Sequence, residues 1–180
     1  MAYFLSKKTA KIFFRLFLAL VFAFLIFLSF AYFFDKKPEP ANSSFREKIF
    51  EFSGAKDYSI VFLKIGEKII ETELVFGSEA MYLGLSNRDS LAEGKGMLFV
   101  FKNYEEPVFL MRNMNFPLDI VFLKDGVVMK VFSNLAPEGA SPENSYSYGP
   151  ADMVIELPAN YFYNNNLKEG MKLELIGSGA

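Results

Sequence analysis

The chain has 180 residues, 52% of them hydrophobic and 22 of them phenylalanine, with neither cysteine nor histidine. Without cysteine there are no disulfides, thiolate metal sites or cysteine nucleophiles, and without histidine neither Ser-His-Asp chemistry nor His-ligated zinc arises in cis. Lys7, Lys8, Lys11 and Arg15 all precede the first acid, Asp35, which leaves 15 basic against 21 acidic residues from Asp35 onward, a net of −6. An acidic domain without a basic stripe excludes nucleic acid, whose binding rests on neutralising phosphates.

Residues 1–15 form a short basic N-terminus, and residues 16–34, LFLALVFAFLIFLSFAYFF, carry no charge. Nineteen helical residues at about 1.5 Å each match the roughly 30 Å hydrocarbon thickness of a bilayer. Four basic residues before the run against Lys36 and Lys37 after it place the N-terminus in the cytoplasm. The expectation is a single-pass cell-membrane protein with an extracytoplasmic C-terminal domain, periplasmic in a Gram-negative cell. The alternative is a secreted chain cleaved near Ala31, where Ser29-Phe30-Ala31 offers small residues to a peptidase.

Residues 35–57 read as a linker in which Phe45, Ile49, Phe50 and Phe52 dock on the domain or form a helical turn. From residue 58 to residue 180 the pattern is of strands. Residues 58–65 and 68–76 flank Gly66-Glu67 as a hairpin, and Ser78 reads as the N-cap of a two-turn helix carrying Met81, Tyr82 and Leu85. Strands follow at 97–101, 108–112 and 119–124, and Asp125-Gly126 is a strong hairpin signal leading into residues 127–132. A long loop at 134–150 precedes a strand at 152–157, a helical turn within 158–166 and a last strand at 171–176. The whole reads as mainly β: a compact antiparallel sandwich or barrel with one or two short helices, preceded by one transmembrane helix.

Several segments match a known pattern in order and spacing. They are Gly84-Leu85 with Arg88, Gly96-Met97-Leu98-Phe99-Val100-Phe101, Phe109-Leu110-Met111-Arg112-Asn113 and Pro117-Leu118-Asp119-Ile120, then Gly149-Pro150 and Val154-Ile155-Glu156-Leu157. Together they resemble the domain of unknown function 192 family over about residues 58–176. The family's pattern carries Trp, Lys and Thr where this chain has Leu110, Arg112 and Met114, and Asp where it has Met171. The resemblance implies a small β-rich domain, often exported, and implies no reaction.

The candidate ligand-binding residues are Arg88, Arg112, Asn113, Asp119 and Glu156. One reading makes them the floor of a small polar pocket gated by the 134–150 loop, suited to an anionic or sugar-like ligand. The other ties Asp119 to Arg88 or Arg112 as an ion pair between helix end and sheet, with Asn113 bonding loop backbone. Glu71 and Glu73 read as solvated charge. No catalytic residue, metal site or cofactor is identified. The function expected is a binding or accessory module of the cell envelope. Two alternatives are a carboxylate-dependent hydrolase acting on envelope polysaccharide, and a structural partner of another membrane or envelope protein.

Overall fold

The computed structural model describes residues 44–178. The expected span at 16–34, its basic flank and the peptidase site near Ala31 lie outside the described residues. Among those described, no helix is long and apolar enough to cross a membrane.

Seven strands form one sheet: β1 (Ile60–Ile65), β2 (Lys68–Val75), β3 (Lys95–Glu105), β4 (Leu118–Lys124), β5 (Val127–Leu135), β6 (Ala151–Pro158) and β7 (Leu173–Ser178). Their spatial order is β5-β4-β6-β3-β2-β1-β7, and every pair is antiparallel except β2 with β3. That parallel pair needs a crossover, supplied by the short helix α2 (Ser78–Leu83) and the loop after it. The two edge strands approach each other at one end. The Val128 N–H donates to the Met171 carbonyl at 2.9 Å, and the N–H groups of Gly170 and Leu173 donate to the carbonyls of Val128 and Gly126 at 2.8 Å each. The sheet thus curls until its edges meet, a partly closed barrel; the expected mainly β domain with short helices is found, but the parallel β2–β3 pair departs from the antiparallel arrangement expected.

Closure explains the inner core. Side chains that alternate inward, such as Val61 and Leu63 on β1, Leu98 and Val100 on β3, and Met153, Ile155 and Leu157 on β6, meet in one buried cluster. Its two ends are stoppered. The nine-residue helix α1 (Phe45–Ser53) inserts Phe45 and Ile49 at the end bearing the β4–β5 turn. Ser44 and Glu47 form a reciprocal capping box, and the Phe45 N–H donates to Asp125 Oδ1 at 2.6 Å, fastening the helix to that turn. Part of the expected linker therefore belongs to the core. At the opposite end Tyr161 and Phe162 of α3 (Tyr161–Asn164), with Leu167, fill the barrel.

β3, β4 and β6 are buried on both faces, which is why they read as nearly unbroken apolar runs. Their outer face carries Met97, Phe99, Ile120, Phe122 and Val154, covered by α2 and by the segments at 106–117 and 136–150. The expected strand at 108–112 does not form. This segment makes isolated bridges instead, Phe109 with Tyr146 and Arg112 with Glu138. It lies over the sheet rather than along an edge, so Phe109 and Met111 pack downward while Val108 and Leu110 stay exposed. Phe109 stands edge-on to Phe99 (4.9 Å between centroids) and Phe122 (5.9 Å). Ser78 is also not the N-cap of α2. Gly77 holds that position, and Asp57 Oδ1 accepts the N–H groups of Phe76 and Gly77.

Candidate functional site

Glu156 lies on the outer face of β6, with Val154, while Ile155 and Leu157 point into the barrel. Its register neighbours are Met97 on β3 and Ile120 on β4, neither able to bond a carboxylate. The side chain is 6% exposed, and its Oε2 is buried without a hydrogen-bond partner. A buried oxygen in that state costs free energy unless something outside the protein pairs with it. Burial pushes the carboxyl up to about 8, against the opposing pull of the Arg88 guanidinium. At neutral pH Glu156 is therefore mostly an uncharged acid, able both to donate and to accept.

Arg88 stands near it, committed to another carboxylate. Its two terminal nitrogens reach Glu73 Oε1 and Oε2 at 2.7 and 2.8 Å, a bidentate fork. The hydrogen bond from Arg88 holds the Glu73 carboxyl below the usual range, although partial burial opposes it. Register explains the trio: Glu73 pairs with Met97, and Met97 with Glu156. The two glutamates thus share one sheet face across an intervening strand, roughly 10 Å apart at the backbone.

Above Glu156 opens a cavity of about 250 Å3, walled by α2 and the turn after it, by Phe99 and Phe101, and by residues 107–112 with Met114. Gly84 makes the turn out of α2 at φ 50° and ψ −129°, where a Cβ would also come within 3.3 Å of Phe99 Cζ. At the rim Arg112 lies over the Tyr82 ring, 4.0 Å from its centroid, and its Nη2 donates to the Tyr82 carbonyl at 3.0 Å. Ser86 Oγ donates to the Arg112 carbonyl at 2.9 Å. These bonds latch the 107–114 segment to α2 across the opening.

Of the residues expected from sequence, Arg112 and Glu156 line this one cavity. Arg88 does not line it, and acts on Glu156 through its charge. Asn113 takes part through its backbone: at φ 53° its carbonyl accepts from Asn87 N–H at 2.8 Å. Asp119 is elsewhere, on the opposite sheet face from its neighbour Ile120. It pairs with neither arginine. Its Oδ1 accepts from Ser133 Oγ (2.7 Å), Asn134 N (2.8 Å) and Asn160 N (2.9 Å), and its Oδ2 from Phe162 N (3.0 Å). That carboxylate pins β5 and the start of α3 to β4, a purely internal task. Glu73, read as solvated charge, is the real partner of Arg88. The 134–150 loop does not line the cavity and instead braces the segment that does, through Tyr146 and Glu138. Strand alternation alone put Glu73 on the wetter side of β2. Its pairing depends on how the crossover after α2 carries Arg88 back toward β2, which no local pattern reveals.

Fold and site together define a small barrel-like β-domain with one face roofed by loops, and a pocket beneath that roof around a single buried acid. The chain belongs to the domain of unknown function 192 family (DUF192, described as an uncharacterized ACR), whose profile matches residues 61–175. It is similar to a crystal structure of a protein of unknown function from Novosphingobium aromaticivorans DSM 12444. The identity there is 30% and the TM-score 0.59, over 64% of this chain and 84% of that one. It is also similar to a protein from Sinorhizobium meliloti 1021 described as a proposed transcription regulator. In that case the values are 27% and 0.60, over 67% of this chain and 96% of that one. No curated protein matches the chain.

Proposed function

We propose that this protein is a membrane-anchored binding or accessory module of the cell envelope, holding a small ligand in the cavity between α2 and the 107–114 segment. The observation that carries the reading is the buried, unpartnered Glu156 Oε2 at the floor of a cavity with Arg112 at its rim. A pocket with an apolar body and a few convergent polar groups is the usual form of a small-molecule site. Anchoring rests on the uncharged run at 16–34 and the basic bias before it. The acidic domain gives no support to a nucleic-acid role of the kind named for the Sinorhizobium meliloti protein. Glycosidase-type chemistry has little support as well, because Glu156 is the one carboxylate among the described residues lining the cavity, and Glu73, on the same sheet face, is spent on Arg88.

A thermal-shift screen against envelope sugars, small anions and neutral amides tests the ligand reading. A ligand at a hundred times its dissociation constant stabilises the fold by about 2.7 kcal/mol. The stabilisation is expected to vanish in Arg112→Ala while that variant unfolds cooperatively; a hit indifferent to both Arg112 and Glu156 sinks the site. N-terminal sequencing tests the anchor, since a mature chain beginning at Tyr32 overturns it.

A further inference from the structure

Resting on that reading of the cavity, we propose that its ligand presents a primary amide or lactam edge, carried on a compact apolar or aromatic body, to the carboxyl group of Glu156. The geometry gives three reasons. First, the floor supplies one carboxyl whose Oε2 has no partner among the described residues, in a cavity whose walls include Phe99, Phe101 and Met114 and whose other polar side chains, Tyr82, Ser86 and Arg112, belong to the latch across the opening. An uncharged carboxylic acid and an amide are matched in kind: the acid O–H donates to the amide carbonyl while the acid carbonyl accepts the amide N–H. Both edges are satisfied at once, and no net charge is buried.

Second, the surroundings disfavour either sign of charge at the floor. The positive charge of Arg88 acts on Glu156 and Arg112 stands at the rim, so an ammonium group would meet two guanidinium charges. Glu73, on β2, is already occupied by Arg88. An anion at the floor would be desolvated beside apolar walls, with a single acid proton to meet it. The neighbours of Glu156 on β3 and β4, Met97 and Ile120, are uncharged, and α2 contributes Tyr82 at the rim. Third, size fits. An apolar cavity of about 150 Å3 holds benzene, so about 250 Å3 admits an amide on one small ring.

The test uses three probes sharing one ring: benzamide, benzoate and benzylamine. They are titrated into the full-length chain in lipid nanodiscs labelled at the methionine methyl groups. Met81 and Met114 line the cavity and report binding there, whereas Met129 on β5 serves as the control. At pH 6.5 benzamide should shift Met81 and Met114 but not Met129, binding about tenfold tighter than the other two, the worth of a well-formed two-point hydrogen bond. Glu156→Gln keeps a donor and an acceptor in place and should hold affinity within about threefold; Glu156→Leu should lose about tenfold. Raising the pH through 8 should weaken benzamide binding to the parent and leave the Gln variant unchanged, a profile that a merely structural glutamate would not produce.

Tighter binding of benzylamine, increasing as Glu156 ionises, overturns the proposal in favour of a cation site. Tighter binding of benzoate, lost in Arg112→Ala and retained in Glu156→Leu, overturns it in favour of an anion site at the rim. Silence of both pocket methyls with all three probes also overturns it. In that last case the broader ligand reading stands or falls separately on the thermal-shift screen.

Discussion

Glu156→Gln offers a direct reading of what burial does to the floor of the cavity. The carboxyl lies near 8 in the folded protein against 4.5 for the free group, a difference of about 3.5 pH units. Between those two values the folded chain holds a proton that the unfolded chain has released. Stability therefore falls as pH rises from about 4.5 to 8, and levels off above. At 1.36 kcal/mol per unit the full span is worth about 5 kcal/mol, a sizeable share of the 5–15 kcal/mol typical of a domain. Glutamine occupies nearly the same volume and never ionises. The variant should match its parent near pH 4.5 and exceed it progressively up to about pH 8, above which the difference levels off. Urea unfolding of residues 43–180 from pH 5 to 9 measures this, because both hydrophobic clusters draw their residues from that segment. Taking the difference between parent and variant removes other titrations, notably that of Asp152, whose carboxyl burial also raises. Carbon-13 titration of the Glu156 carboxyl gives the midpoint independently. A stability difference that stays flat within about 0.5 kcal/mol from pH 5 to 9, with a midpoint near 4.5, refutes the reasoning.

Three other outcomes follow from the same geometry. Three donors converge on Asp119 Oδ1 and one on Oδ2, so Asp119→Asn turns an amide nitrogen toward at least one of them; it should cost about 2–4 kcal/mol and lower the melting temperature by roughly 10 °C, and a fall under about 3 °C would show those four bonds to be idle. Arg88→Met should barely change stability, since its ion pair with Glu73 is about one-third exposed, within about 1 kcal/mol. It should nonetheless move the Glu156 midpoint further up by removing the nearby positive charge, and a midpoint that stays put or drops contradicts the placement of Arg88. Gly84→Ala imposes a Cβ on a left-handed turn and against Phe99, with an expected loss of about 1–3 kcal/mol by urea unfolding; a neutral result means the turn relaxes freely.

Local chemistry determined much of this protein. Asp125-Gly126 and Gly66-Glu67 made their hairpins because turn geometry depends on the residues in the turn. β3, β4 and β6 announced themselves as apolar runs, although a covering segment such as 107–114 carries the same residue types. What distinguishes the two is whether a sheet edge or a sheet face lies beneath, and only closure of the barrel settles that. The candidate site divides on the same line. Arg112 and Glu156 stood out as polar residues in apolar stretches, but Asp119 stood out equally and instead ties down two distant segments, the end of β5 and the start of α3. Glu73 resembled an ordinary wet-face charge until the crossover from β2 to β3 brought Arg88 back against it. Burial, partner and protonation of a carboxyl depend on what surrounds it in space, and for Glu156 those surroundings come from four strands, one helix and two loops that the chain joins only on folding.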